Sequence, residues 1–199
     1  MSDVADAAIP EGASPETGGI ANPPVIILIE PQLGENIGSA ARVMLNFGLT
    51  ELRLVAPRDG WPNAAAEPLS AGAFEAGVLV TVFDTVEAAI ADLGTVLAAT
   101  ARPRGMEKPV VDAAGGADTV KSRGLKAGII FGAENHGLPS DVVGLADAIL
   151  TYPVNPAFAS LNLAQAVGVF CASWGASESR YCGQAPHHPA LTTKVTILY

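Results

Sequence analysis

Four short segments gather the side chains able to bind or steer charge. The first, Gly34–Gly48, reads GENIGSAARVMLNFG and carries Arg42 one turn inside an expected helix. Ser39, Arg42 and Asn46 recur at i, i+3 and i+7, so they share one polar stripe. A guanidinium held there offers a planar fork of donors to a phosphate or hydroxyl, although the same stripe also reads as a solvated helix face. The second, Phe131–Val142, reads FGAENHGLPSDV, with Gly132 and Gly137 bracketing Glu134, Asn135 and His136. Glu134 and His136 are two ligand types without a third nearby, a weak pattern for a metal. A glycine-rich loop that lets backbone approach a flat ligand and an ordinary turn are the two other readings. The third, Tyr152–Phe170, reads YPVNPAFASLNLAQAVGVF. Two prolines stiffen its loop, Ser160 can cap the following helix, and Asn162 lies in the first turn, where backbone N–H groups are free. The fourth, Ala99–Pro109, holds Arg102, Arg104 and Lys108, cations that read as phosphate contacts or as solvated loop charges.

The elements that position these segments follow from the apolar pattern. Short Val/Ile/Leu-rich runs at Val25–Ile29, Leu52–Val55, Val78–Phe83, Val96–Thr100, Ala127–Phe131 and Ala148–Tyr152 read as strands buried on both faces. Helical spacing falls between them at Ile37–Phe47, Leu69–Ala76, Thr85–Leu93, Asp112–Ser122 and Pro139–Leu145, with a last helix at Leu161–Trp174. Strands alternating with helices predict an α/β domain, a mostly parallel sheet with helices on both faces. Ligands in such sheets bind beyond the carboxyl ends of strands, and the loops Pro31–Gly38, Ala101–Lys108, Gly132–Leu138 and Pro153–Ser160 all lie there. Gly48 suits the left-handed residue that ends a helix. Ile37, Ala41, Met44 and Leu45 should face the sheet. The last helix is apolar on nearly every side, through Leu161, Leu163, Ala164, Val167, Phe170, Cys171 and Trp174. Such a helix must be buried all round, either at the centre of its own core or against a partner subunit as well.

Composition bounds the alternatives. A chain of 199 residues suits one domain with a tail, and 49% hydrophobic residues suffice for a core. No apolar run approaches the roughly 20 residues needed to span a bilayer. Residues 1–22 carry Asp3, Asp6, Glu11 and Glu16 with no cation, and read as a disordered acidic tail without a secretory signal. That makes a cytoplasmic protein the expectation. Cys171 and Cys182 form neither a metal spacing nor a disulfide framework. A net charge of −9 argues against indiscriminate nucleic-acid binding, but Arg102, Arg104 and Lys108, then Lys121, Arg123 and Lys126, leave room for a local basic face. The absence of G-x-G-x-x-G after the first strand counts against a dinucleotide-dependent oxidoreductase. Beyond Trp174 the chain turns polar, so residues 176–199 read as a linker into a further element that is short or cut off.

Taken in order, three of these segments resemble the motifs of the SpoU/TrmH branch of the SPOUT RNA methyltransferases. Asn36-Ile37-Gly38-Ser39 with Arg42 and Phe47-Gly48 resembles the first motif. Gly132, Glu134, Gly137 and Leu138 match the second, G-x-E-x-x-G-L, and Pro153 with Ser160-Leu161-Asn162-Leu163 resembles the third. The likeness runs from about Pro24 to Trp174, within a domain of 23–175, and Thr100-Ala101-Arg102 with Arg104 is most similar to the TrmJ subgroup. The resemblance implies a deep trefoil knot over about Ala127–Trp174, a homodimer, S-adenosylmethionine as cofactor, no metal, and 2′-O-methylation of tRNA at anticodon-loop position 32. Another tRNA site, ribosomal RNA or a non-catalytic RNA-binding module are the alternatives. It further implies Arg42 as the catalytic residue, reaching across the dimer, with Asn36, Ser160 and Asn162 completing the active site. The cofactor would be enclosed by Thr100, Ala101, Arg102, Gly132, Ala133, Glu134, Gly137, Leu150, Pro153, Ser160 and Leu161.

Overall fold

Burial on both faces explains the sheet. The computed structural model describes residues 22–101 and 107–177, so the expected acidic tail (apart from Asn22), Arg102, Arg104 and the stretch beyond Ser177 lie outside the described residues. Seven strands form one sheet: β1 (Val25–Ile29), β2 (Glu51–Val55), β3 (Leu79–Phe83), β4 (Thr95–Ala99), β5 (Val110–Val111), β6 (Ala127–Phe131) and β7 (Ala148–Leu150). Their order is β3-β2-β1-β6-β4-β7-β5, and every pairing is parallel. In β1, Ile26 and Leu28 join a core on one face while Val25, Ile27 and Ile29 join a core on the other. Apolar side chains on both sides of one strand are what a doubly covered parallel sheet requires.

Six of the seven strands are the predicted runs, β1 and β6 with the expected bounds and the other four with shifted ends. The two-residue β5 was not predicted, being too short to show a period. One expectation fails: β3 is not buried on both faces. It is one of the two edge strands, with Leu79 71% and Val82 44% exposed.

The helices are α1 (Gly34–Asn46), α2 (Glu67–Ser70), α3 (Val86–Ile90), α4 (Ala113–Arg123), α5 (Ser140–Leu145) and α6 (Leu163–Ser177). Their buried residues place α1, α4 and α6 on one face, and α3 and α5 on the other. α1 buries Ile37, Ala41 and Met44 as its spacing predicts, half-buries Leu45, and ends through Gly48 at φ 75°. α2 is shorter than its apolar pattern suggested, because Ala71 and Gly72 take positive φ and stop it.

The all-round apolar helix has a simpler account than a partner subunit. α6 buries Val167, Phe170, Cys171 and Trp174 within its own chain. It lies between α1 and α4: a Cβ on Gly175 would stand 2.5 Å from Phe47, and the Lys121 ammonium sits 4.9 Å over the Trp174 ring. Val169 is 38% exposed, and Ala172 and Ala176 are exposed. A charge at Val167, fully buried, would therefore report on the core rather than on any dimer. Burial pushes the Cys171 thiol up to about 12, so it behaves as a packing residue. Among the described residues no helix is long and apolar enough to cross a membrane.

Two details fix how the layers meet. Gly38 lets the chain entering α2 press on α1, since a Cβ there would lie 2.0 Å from the Ala66 carbonyl oxygen. Arg53, charged yet 4% exposed in the middle of β2, is held by Glu51, by the Ala89 carbonyl and by Asp92 (2.8 Å). Lys126 joins Asp92 at 2.9 Å, and this network pins α3 to the amino end of the sheet. The Arg53 hydrogen bond, then that of Lys126, holds the Asp92 carboxyl well below the usual range.

Gly38→Ala should lower stability by about 1–3 kcal/mol in thermal or denaturant unfolding, because the backbone it meets cannot swing aside. Asp92→Asn should cost about 1 kcal/mol near pH 7, a modest figure because the carboxylate is half exposed. A depressed folded pKa means that this contribution is complete above the unfolded value of about 4 and fades as pH falls below it. Unfolding curves of wild type and variant should thus converge in acid.

Candidate active site

Strand order brings the four loops together. β1, β6, β4 and β7 are consecutive neighbours in the sheet. The segments following them, which include the four singled out from sequence, therefore leave the same edge side by side.

Hydrogen bonds then join three of them. Glu134, in the loop after β6, accepts from the backbone N–H of Gln32 (2.8 Å) and Leu33 (3.3 Å) in the loop after β1. It also accepts from the Asn36 amide at 2.6 Å. A carboxylate suits this place because it accepts on two oxygens and stands at the amino end of α1, where the helix dipole favours negative charge. Leu33 supplies no side-chain cap of its own. The Asn36 side-chain oxygen accepts from the Asn162 amide at 2.9 Å, reaching the third segment. Asn162 is spent twice, for its oxygen also caps α6 by accepting from Ala164 N at 2.9 Å. Gln165 returns a bond to Asn162 N at 3.2 Å, completing a capping box. The cap of this helix is thus Asn162 rather than the expected Ser160, which stays exposed.

A cavity of about 330 Å³ opens beside this chain of bonds. That volume lies at the low end for small-molecule sites. Its floor is backbone and small side chains (Ala99, Ala101, Gly132, Ala133, Ala159), flanked by Leu138, Leu161 and Leu163, with Thr100 and Ser160 adding polar groups. Gly132 cannot be larger, because a Cβ would stand 2.2 Å from the Gly137 carbonyl carbon where the loop folds back. Gly137 has φ 69°, and its N–H donates to the Ala133 carbonyl at 2.8 Å. Tyr152 closes one side, donating its hydroxyl to the Ala166 carbonyl of α6 at 2.8 Å. Burial keeps that phenol far above its ordinary range, so it serves as a brace. His136 lies on the rim, 3.5 Å from Glu30.

Eight residues predicted to enclose a cofactor line this cavity: Thr100, Ala101, Gly132, Ala133, Glu134, Gly137, Ser160 and Leu161. Leu150 does not; its side chain is fully buried and its carbonyl accepts from Thr100 N. Pro153 is exposed outside the lining, its neighbours Tyr152 and Val154 standing there instead. Arg102 lies outside the described residues. Arg42 is exposed on α1, is absent from the cavity wall, and forms no hydrogen bond or ion pair among the described residues. His136 belongs to the glycine-rich loop already singled out, whereas sequence reasoning had no signal for Leu163 or Ala166 as wall residues, since their place depends on how α6 meets the loops.

The model of the SpoU rRNA Methylase family matches residues 23–172, three quarters of the chain and all three segments. The chain belongs to the SpoU family. A relative from Photorhabdus laumondii, named tRNA (cytidine/uridine-2′-O-)-methyltransferase TrmJ, is 37% identical over 144 residues, covering 71% of this chain and 59% of its own. A crystal structure of TrmJ from Z. mobilis superposes with a TM-score of 0.74 at 52% identity, over 78% of this chain and 70% of that one. An AdoMet-bound rRNA methyltransferase from Sinorhizobium meliloti shares the fold alone, with a TM-score of 0.64 at 19% identity. The chain spans about three fifths of the length of such curated relatives.

In this SpoU-family site Glu134→Gln should be costly although it is isosteric. An amide has one acceptor oxygen, and its NH2 would confront a backbone N–H now held by the carboxylate. A loss of about 1–3 kcal/mol in urea unfolding is expected; unchanged stability would show that Glu134 does not bridge the two loops.

Proposed function

We propose that this protein is an S-adenosylmethionine-dependent RNA 2′-O-ribose methyltransferase acting on tRNA, with cytidine or uridine at anticodon-loop position 32 as its target. The observation that carries this reading is the Glu134–Asn36–Asn162 chain of hydrogen bonds, which binds the three family segments around one cavity. The names of the TrmJ relatives supply the RNA and the position on the sugar. The donor set fits the proposed cofactor: small residues and backbone admit a flat adenosine, Leu138 and Leu161 offer apolar contact, and a Cβ on Gly137 would meet nothing within 4 Å, so that side is open to a ligand.

When bound, this cofactor supplies a methyl group made electrophilic by its sulfonium, so nothing further need activate it. The protein's share is to place a ribose hydroxyl in line with that methyl and to manage the hydroxyl proton. We assign the first task to Ser160 on the cavity wall and to Asn162 beside it, whose amide is fixed by Asn36. Asn36, being nearly buried and bonded on both sides, acts as a positioning residue. Arg42 is the proposed catalytic residue. Its guanidinium does not lose its proton at neutral pH, so it serves as an orienting and charge-stabilising group for the developing alkoxide. The proton then passes to an RNA phosphate oxygen or to water. Because Arg42 stands off the wall of its own cavity, the reading places it in the site of a second copy, in a homodimer. The knotted passage of residues 127–174 and the domain limits of 23–175 belong to the same proposal.

Arg42→Ala should reduce methyl transfer by about a thousandfold while cofactor affinity, measured by calorimetry, stays near that of wild type. Gly137→Val should do the reverse, abolishing cofactor binding by filling the open side and straining a positive-φ position. The deciding experiment is mass spectrometry of nucleosides from tRNA, and separately from ribosomal RNA, incubated with the protein and labelled cofactor. A methyl on a tRNA ribose is expected; label only on ribosomal RNA, or none, overturns the assignment.

A further inference from the structure

The wall contributed by the loop after β7 is chemically unlike the others. Residues 152–163 contain no charged side chain, so this side of the site offers an RNA no ion pair. It presents an aromatic ring instead. Phe158 is 79% exposed, the most exposed large hydrophobic among the described residues. Leaving a ring of this size in water is unfavourable, and the loop holds it there by construction. Pro153 and Pro156 restrict the backbone. The Asn155 side chain accepts from Ala157 N at 3.0 Å, and Phe158 N donates to the Asn155 carbonyl at 2.9 Å, closing a tight turn over Pro156–Phe158. Val154 on one side, and Ala159 and Ser160 on the other, line the cavity, so Phe158 stands at its rim.

We infer that Phe158 is a stacking platform for an unpaired base of the RNA, a substrate-binding residue outside the chemistry of methyl transfer. The inference rests on the methyltransferase reading above. A nucleotide whose 2′-hydroxyl enters the cavity must leave its base, or that of its neighbour, just outside. Single-stranded RNA is held by ring faces, because every base has one and the contact needs no charge. The division of labour is then spatial: cations elsewhere meet phosphates, while this neutral loop meets a base. A second copy of the chain packing on Phe158 would use its apolar area, for which any hydrophobic side chain of similar size serves. Stacking requires the flat face.

That difference sets the test. Phe158→Leu keeps the apolar bulk and removes the ring, whereas Phe158→Tyr and Phe158→Trp keep a ring. The Leu variant should raise the KM for tRNA, and the Kd for an unmodified anticodon stem-loop measured by fluorescence anisotropy, about tenfold. The Tyr and Trp variants should stay near wild type. Cofactor affinity by calorimetry and oligomeric state by light scattering should be the same in all four proteins. A Leu variant that binds the stem-loop like wild type overturns the inference, as does one that changes oligomeric state. The anisotropy readout needs no turnover: if wild type transfers no methyl yet the Leu variant still loses stem-loop affinity, the enzymatic reading fails and the stacking role stands.

Discussion

One half-buried chain of hydrogen bonds, from Glu134 through Asn36 to Asn162, is what the rest of the site depends on. It joins residues 98 and 126 positions apart. A carboxylate is needed where two backbone N–H groups and an amide converge. An asparagine is needed where a group must donate to that carboxylate and accept from the next segment. Apolar packing could bring these loops near one another, but it would not set which way each amide faces. The bonds do, and the cavity wall inherits its shape from them.

Much of this could be read from the residues, and the exceptions share a cause. β1 and α1 announced themselves through Val25–Ile29 and the spacing of Ile37, Ala41 and Met44, because burial imposes a period on sequence. Ligand loops were expected at the carboxyl ends of the strands for the same reason. What the period could not show was pairing across the fold. Glu134 looked like a ligand or a turn residue; its partners Gln32 and Leu33 are defined only once β1 and β6 lie side by side. Arg53 interrupts an apolar strand, and nothing local told of Asp92 and Lys126 waiting beside it. The apolar circumference of α6 suggested two kinds of neighbour, and α1 and α4 proved to be enough for most of it. Asn162 took the capping place expected of Ser160 because the helix begins two residues later than its apolar pattern.

The two ends of the sheet carry different charge chemistry. At the amino end, Arg53, Lys126, Glu51 and Asp92 neutralise one another, which suits a brace that contacts no ligand. At the carboxyl end, Glu134 instead accepts from backbone N–H groups and from the Asn36 amide. Under the proposed function an acidic protein would meet its polyanion over a restricted area, so affinity for nucleic acid would depend on the fit at one place rather than on net charge.

The position of β6 also governs when the molecule can be completed. Ile27 pairs with Ile130 and Leu97 with Ile129, so a strand made after both β1 and β4 occupies the slot between them. Until it emerges, β1 and β4 cannot share their present spacing, and Glu134, which travels with β6, is missing from the loop it organises. Parallel pairings between distant segments are slow to form. The nascent chain therefore carries open edges on β1 and β4 until β6 and then β7 are made, and the cavity wall waits longer still, for the loop after β7.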